Sequence, residues 1–114
     1  MAVQRLKRRV DFSQVIKRGR TYGDRYLVLF VLSVPHGEVT RVGFATQRNV
    51  GSAVNRNRVK RRLRALYRPY AASVIFSGDL IFLGKKSMID APWVDLERSV
   101  RRVLRQAGCL REQG

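Results

Sequence analysis

Residues 43–64 read GFATQRNVGSAVNRNRVKRRLR, and the change of pattern within them decides the fold. Gly43–Thr46 closes a short run that opens at Thr40 and reads as a strand. Gln47–Gly51 is a polar loop, beyond which Val59, Leu63, Leu66, Tyr67 and Tyr70 fall on one narrow stripe at 100° per residue. A strand is thus followed at once by an amphipathic helix, with Ser52 or Asn55 available as its cap. Pro69 ends or kinks that helix near Arg68, because proline has no N–H to donate and clashes with the preceding turn.

Toward the N-terminus, Tyr26–Val34 (YLVLFVLSV) is β-branched and aromatic on both faces and lies between Gly23-Asp24 and Pro35-His36-Gly37. It predicts a well-buried strand, and the short link to Thr40 predicts an antiparallel hairpin. Residues 20–22 add a short edge strand. Val10, Phe12, Val15 and Ile16 recur at near-helical spacing with Gly19 as a stop, which predicts a first helix. Toward the C-terminus, Asp79 opens a strand at Leu80–Leu83, followed by the basic turn Gly84-Lys85-Lys86. The last helix has Asp90 as cap, Pro92 in its first turn, Asp95 and Glu97 near the positive end, and Arg101, Arg102 and Arg105 near the negative end. Gly108 stands beyond it, and its buried stripe reads Trp93, Leu96, Val100, Val103 and Leu104. The order is α-β-β-β-α-β-α, a mixed sheet covered by helices: an α+β or split α/β sandwich.

With 114 residues, 45% of them hydrophobic, the chain supports one core and hence a single domain over residues 1–114. Five Phe and four Tyr set it apart from a disordered basic tail. Its 24 Lys and Arg against 8 Asp and Glu leave a net charge of +16, which calls for a polyanionic partner. The apolar run Tyr26–Val34 is too short to span a bilayer, no apolar stretch follows the basic Arg5, Lys7, Arg8 and Arg9, and no helix combines a bulky apolar face with interfacial aromatics. The expected location is the cytoplasm, with no membrane partner. The lone Cys109 excludes an internal disulfide and a cysteine metal cluster and is assigned no role.

Between Val39 and Gly78 stand nine basic residues and no carboxylate, so this stretch cannot neutralise itself through local ion pairs. Seven of the nine lie from Arg56 to Arg68, and on a helix Arg58, Arg61, Arg62, Arg64 and Arg68 cover the face opposite the apolar stripe. Like charges at these spacings repel by a few tenths of a kcal/mol per pair. Phosphates would relieve them, and guanidinium groups suit RNA because they make forked phosphate bonds and stack on bases. Phe12, Tyr22, Tyr26 and Phe30 are either core or stacking faces for unpaired bases, and both can hold for different residues because a strand alternates faces.

A protein nuclease needs converging carboxylates for metal or a histidine acid–base pair. The only histidine, His36, falls in the predicted hairpin turn; Asp11, Asp24, Glu38 and Asp79 stand singly. No catalytic residue and no protein-bound metal is expected, and no glycine-rich phosphate loop is present. Small ribosomal or rRNA-assembly proteins share this size and charge. A DNA-architectural protein would need a dimer interface and an extended arm, neither of which is evident, so DNA is not expected as a partner.

The run from Gly43 to Arg64, with Gly51, Ala53, Val54 and the Arg56-Asn57-Arg58 triplet, resembles the signature of the bacterial ribonuclease P protein subunit family. The likeness extends through Asp11–Gly19 and Asp79–Lys86 to the last helix. It implies a mixed four-stranded sheet with a left-handed βαβ crossover, a hand that pattern alone would not suggest. It also implies two RNA surfaces on a monomer bound once per RNA. Arg56, Asn57, Arg58, Lys60, Arg61, Arg62 and Arg64 would grip the catalytic RNA, whose own Mg²⁺ activates water. A cleft with Phe12, Ile16, Phe30, Arg48, Asn49 and, at its rim, Lys85 and Lys86 would hold the single-stranded 5′ leader of precursor tRNA. Many relatives carry an aromatic where Ile16 stands and a lysine where Asn49 stands, which implies a weaker leader grip or one shifted to Tyr22 and Tyr26.

Overall fold

Gly78–Gly84 is apolar on both faces apart from Asp79, and a strand of that kind is satisfied only where both faces are covered. A computed structural model, which describes residues 3–5, 9–33, 40–74 and 77–110, places it at the centre of a five-stranded sheet. In chain order the elements are β1 (Val3–Arg5), α1 (Arg9–Arg18), β2 (Arg20–Gly23), β3 (Leu27–Ser33), β4 (Thr40–Thr46), α2 (Ala53–Tyr67), β5 (Gly78–Gly84) and α3 (Trp93–Gln106). The strands lie in the order β1-β4-β5-β3-β2. Strands β2 to β5 form the mixed α+β sheet expected from the pattern; β1, three residues long and too short to show a period, adds a fifth strand parallel to β4.

The expected hairpin between Tyr26–Val34 and Thr40–Thr46 does not form. Strand β5 lies between the two, antiparallel to β3 (Val31↔Leu80) and parallel to β4 (Val42↔Leu80). The ends Ser33 and Thr40 both pair with Gly78, so the connection need only cross one strand, about 10 Å. A short link therefore reads locally as a hairpin while the more apolar β5 takes the central place. Val34, the link with Pro35, His36 and Gly37, and the basic Lys7 and Arg8 lie outside the described residues.

Directly paired strand residues share a face, which separates two packing layers. On one side Leu29, Val31, Val42, Leu80 and Phe82 pack with Val59, Leu63 and Leu66 of α2 and Leu96, Val100, Val103 and Leu104 of α3. On the other, Val15 of α1 and Ile81 are buried beneath half-buried Phe12, Phe30, Leu32 and Ala45. The Ser52 hydroxyl accepts from the Asn55 N–H at 3.3 Å, so Ser52 is the cap of α2, and a 3₁₀ turn containing Pro69 follows its end.

Two expectations for α3 are corrected. Pro92, whose φ of −57° is set by its ring, occupies the N-cap position, while Asp90 is exposed two residues upstream and makes no cap. Trp93 in the first turn is 40% exposed and is not part of the buried stripe, which begins at Leu96. Gly108, with φ of 71°, closes the helix as read. No helix among the described residues is long and apolar enough to cross a membrane.

Candidate nucleic-acid interface

The basic residues of α2 divide by the direction in which helix geometry points them. Arg56 turns back on the loop that precedes the helix, donating from Nε to the Gly51 carbonyl (2.9 Å), from Nη1 to Thr46 Oγ1 (3.0 Å) and from Nη2 to the Arg48 carbonyl (2.8 Å). Arg62 points sideways to the segment leading into α3. It donates to the carbonyls of Met88 (2.7 Å), Ile89 (3.0 Å) and Ala91 (2.8 Å) and lies 5.5 Å over the Trp93 ring. Arg58 Nε donates to Ile89 O at 2.9 Å. Burial first, and the neighbouring Arg58 second, lower the pKa of Arg62 from the usual arginine value, against the pull of Asp90.

These bonds correct the expectation that only phosphates relieve the crowding of charge on this helix. Three of its arginines find internal carbonyls, which no count of carboxylates could reveal. Arg62 also flanks the apolar stripe and does not stand opposite it. Arg41, in the same carboxylate-free stretch, forms a two-pronged ion pair with buried Asp79 on the adjacent strand (2.7 and 2.8 Å).

What remains open is the outward face. Asn57, Arg61 and Arg68 are exposed, and Lys60 and Arg64 are half-buried. None of their side chains has a hydrogen-bond or ion-pair partner among the described residues, and the buried Nε of Arg64 is unsatisfied. The Arg64 guanidinium lies 5.9 Å over the Phe44 ring, which holds it in place. Val54, Asn57, Arg61 and Arg64 line a depression of about 390 Å³ on this face. Val54, 74% exposed, entered the sequence reading only as part of the signature and not as a surface residue, since an apolar residue at the start of a basic helix carries no periodic signal.

The second group of predicted residues lies on the opposite side of the sheet. Phe12 rests over Gly43, where a side chain would meet its ring, so the glycine lets α1 sit close to β4. Phe30 is half-buried on β3 beside Ile81, and Ile16 on α1 is 43% exposed. Strands β4 and β5 are parallel and end together at Thr46 and Gly84, with the Gln47 N–H bonded to Gly84 O at 2.9 Å. The turns that follow, with exposed Arg48 and Asn49 and with Lys85 and Lys86, therefore emerge from one end of the sheet. Half-buried Val28 and Leu83, paired with each other on the same face as Phe30 and Ile81, extend the floor toward that end. They were missed because β3 and β5 are apolar on both faces.

Two aromatic assignments change. Tyr22 pairs with Leu29 and Tyr26 packs against the same core, both on the α2/α3 side, and the Tyr26 hydroxyl donates to Asp95 at 3.4 Å. Neither can share a cleft with Phe12. Lys85 donates its ammonium to the Asp24 carbonyl, so its charge is engaged internally while that of Lys86 is exposed. Asp24 itself accepts from the Tyr26 N–H (2.9 Å) and the Ser99 hydroxyl (2.6 Å). No three His, Cys, Asp or Glu side chains among the described residues converge on a metal-sized site. Cys109 is fully buried, and burial pushes its thiol up to about 11.

Set against known proteins, residues 1–108 match the family model described as Ribonuclease P. The chain is 37% identical over 110 residues to a ribonuclease P protein component of Symbiobacterium thermophilum, covering 96% of each. It is 32% identical over 102 residues to that of Clostridioides difficile, covering 89% of each. Its fold overlays the RNase P protein of Staphylococcus aureus with a TM-score of 0.81 at 23% identity, covering 94% of this chain and 97% of that one. The RNase P protein of Thermotoga maritima overlays with a TM-score of 0.77 at 21% identity, covering 97% and 99%.

Proposed function

The chain belongs to the ribonuclease P protein component family, a family of tRNA processing, and we propose that it serves as the RNA-binding, non-catalytic subunit of that endoribonuclease. The observation that carries this reading is the separation of two groups of side chains across one sheet: the open cationic face of α2 on one side and the half-buried Phe12 and Phe30 beside α1 on the other.

The face of Asn57, Lys60, Arg61, Arg64 and Arg68 binds the catalytic RNA, since its guanidinium groups have no hydrogen-bond or ion-pair partner among the described residues and phosphates supply one. Arg56, Arg58 and Arg62 act chiefly by shaping that face through the carbonyls they hold. On the opposite side, Phe12, Ile16 and Phe30 provide stacking and apolar contact for unpaired leader bases, and Arg48, Asn49 and Lys86 meet the leader's backbone, with Lys85 at the rim. Phosphodiester cleavage belongs to the RNA, which carries the Mg²⁺. The protein lowers the repulsion between two polyanions and holds the leader in register with the cleavage site. In this role it acts in the cytoplasm as a monomer, one per RNA, on precursor tRNA.

The test is salt dependence. Arg61→Gln combined with Arg68→Gln should reduce the slope of log affinity for ribonuclease P RNA against log salt by roughly 1.4 to 1.8, two phosphate contacts at about 0.7 to 0.9 each. A slope equal to that of the unaltered protein would remove α2 from the RNA interface.

A further inference from the structure

Helix α3 carries a second arginine array that the two surfaces above do not use. Arg98, Arg101, Arg102 and Arg105 recur at i, i+3, i+4 and i+7, and all four are exposed. The buried residues Leu96, Ser99, Val100, Val103 and Leu104 occupy the other face, so the arginines point straight away from the core. The helix dipole accounts for Arg105 alone, because it is the basic residue of the last turn and the effect fades within one turn. Arg102 reaches Asp24 at 3.5 Å. The side chains of Arg98, Arg101 and Arg105 have no hydrogen-bond or ion-pair partner among the described residues, although Glu97 stands four positions before Arg101. Three cations one turn apart repel one another, and Glu97 stands near enough along the helix to offset only part of it.

Taking the proposed function as given, we propose that the Arg98/Arg101/Arg105 stripe is a second phosphate-binding surface that engages the same large RNA as α2. Helices α2 and α3 pack side by side on one face of the sheet, so their outward faces are presented to a single partner. The three arginines span about 10 Å of helix and can meet separate phosphates of one backbone. Guanidinium groups hold phosphate through two parallel bonds. The stripe contains one apolar residue, Val94, too little to enter a lipid surface. The leader cleft lies across the sheet, which leaves the structured RNA as the partner on this side.

The experiment compares Arg98→Gln/Arg101→Gln/Arg105→Gln, the corresponding triple lysine variant and Arg61→Gln/Arg68→Gln in binding to ribonuclease P RNA from 50 to 200 mM salt. Circular dichroism confirms that each variant is folded. Over that range the unaltered protein should lose roughly 20- to 40-fold more affinity than the triple glutamine variant, three contacts' worth of slope. The lysine variant should keep most of the slope. An unaltered slope in the triple glutamine variant, with a reduced one in the α2 variant, overturns this proposal and leaves the function standing. A reduced slope in the triple variant alone supports the α3 surface and removes the α2 assignment; no change in either overturns both. An unchanged RNA slope with lost binding to anionic lipid vesicles would assign the stripe to a membrane surface and refute it.

Discussion

Gly43→Ala probes the leader cleft without touching a residue proposed to contact RNA. A Cβ built at this position of β4 lies 2.5 Å from Phe12 Cζ and 3.0 and 3.1 Å from its two Cε atoms. Carbon atoms in good contact sit at about 3.5 to 4.0 Å, so the ring has to retreat by about 1 Å or swing outward. Held in place, it would cost about 1 to 3 kcal/mol in overpacking. Phe12 is only half-buried, so rotation toward solvent is the cheaper response and the fold should survive. The stacking position is then lost, at about 1 to 3 kcal/mol for one base, or roughly 5- to 150-fold in affinity. The assay is binding of precursor tRNA with and without its 5′ leader to the holoenzyme reconstituted on ribonuclease P RNA. Loss should be confined to the leader-bearing substrate, and Gly43→Ala combined with Phe12→Ala should be no worse than Phe12→Ala alone. Equal loss on the leaderless substrate would refute the reasoning and make Phe12 a packing residue.

Arg62→Ala should lower stability in urea by about 2 kcal/mol, since the part-buried carbonyls of Met88 and Ala91 lose their charged donor while that of Ile89 keeps only Arg58. Arg61→Ala should change stability by less than about 0.5 kcal/mol while weakening RNA binding. At Gly84 an added Cβ would collide with Val59 Cγ1 and lie 3.1 Å from Met88 Sδ, so Gly84→Ala should destabilise by about 1 to 3 kcal/mol, read as a lower urea midpoint. Alkali should unfold the protein through two buried acids. The Cys109 thiol is raised from 9.0 to about 11, and burial, with the Cys109 charge, raises Tyr67 from 10.0 to about 12. The unfolded chain releases these protons first, so stability falls as pH rises from about 9 to 12. The thiol's share is about 2 kcal/mol, and Cys109→Ala should lessen the decline between pH 9 and 11.

The ends of α2 were legible because one signal marks each: Ser52, with Asn55 as the other candidate cap, before the stripe and Pro69 after it. The edge strand β2, the stop at Gly19 and the buried stripe of α3 from Leu96 onward were equally plain. Strand order was not, because the link after β3 carries hairpin residues whether or not another strand intervenes, and nothing local says that Leu80–Leu83 belongs in the middle. The candidate site divides the same way. Arg61 and Arg64 could be placed on the outer face from helix geometry alone. That Arg56 and Arg62 instead hold carbonyls depends on the approach of residues 48–51 and 88–91, a tertiary fact absent from their spacing. Tyr22 and Tyr26 were indistinguishable from Phe30 while both faces of β3 read as apolar; register with Leu29 places Tyr22, and Tyr26, just before β3, is turned to the same side by its packing and its bond to Asp95 of α3.

Cleavage of a precursor tRNA by a bacterial ribonuclease P RNA at limiting Mg²⁺ tests the central claim most directly, with this protein added, omitted, or present without the RNA. The account predicts 5′ cleavage that is restored only when RNA and protein are together, with the larger gain for substrates that carry a leader. Cleavage by the protein alone, or RNA binding that never assists the ribozyme, would contradict it.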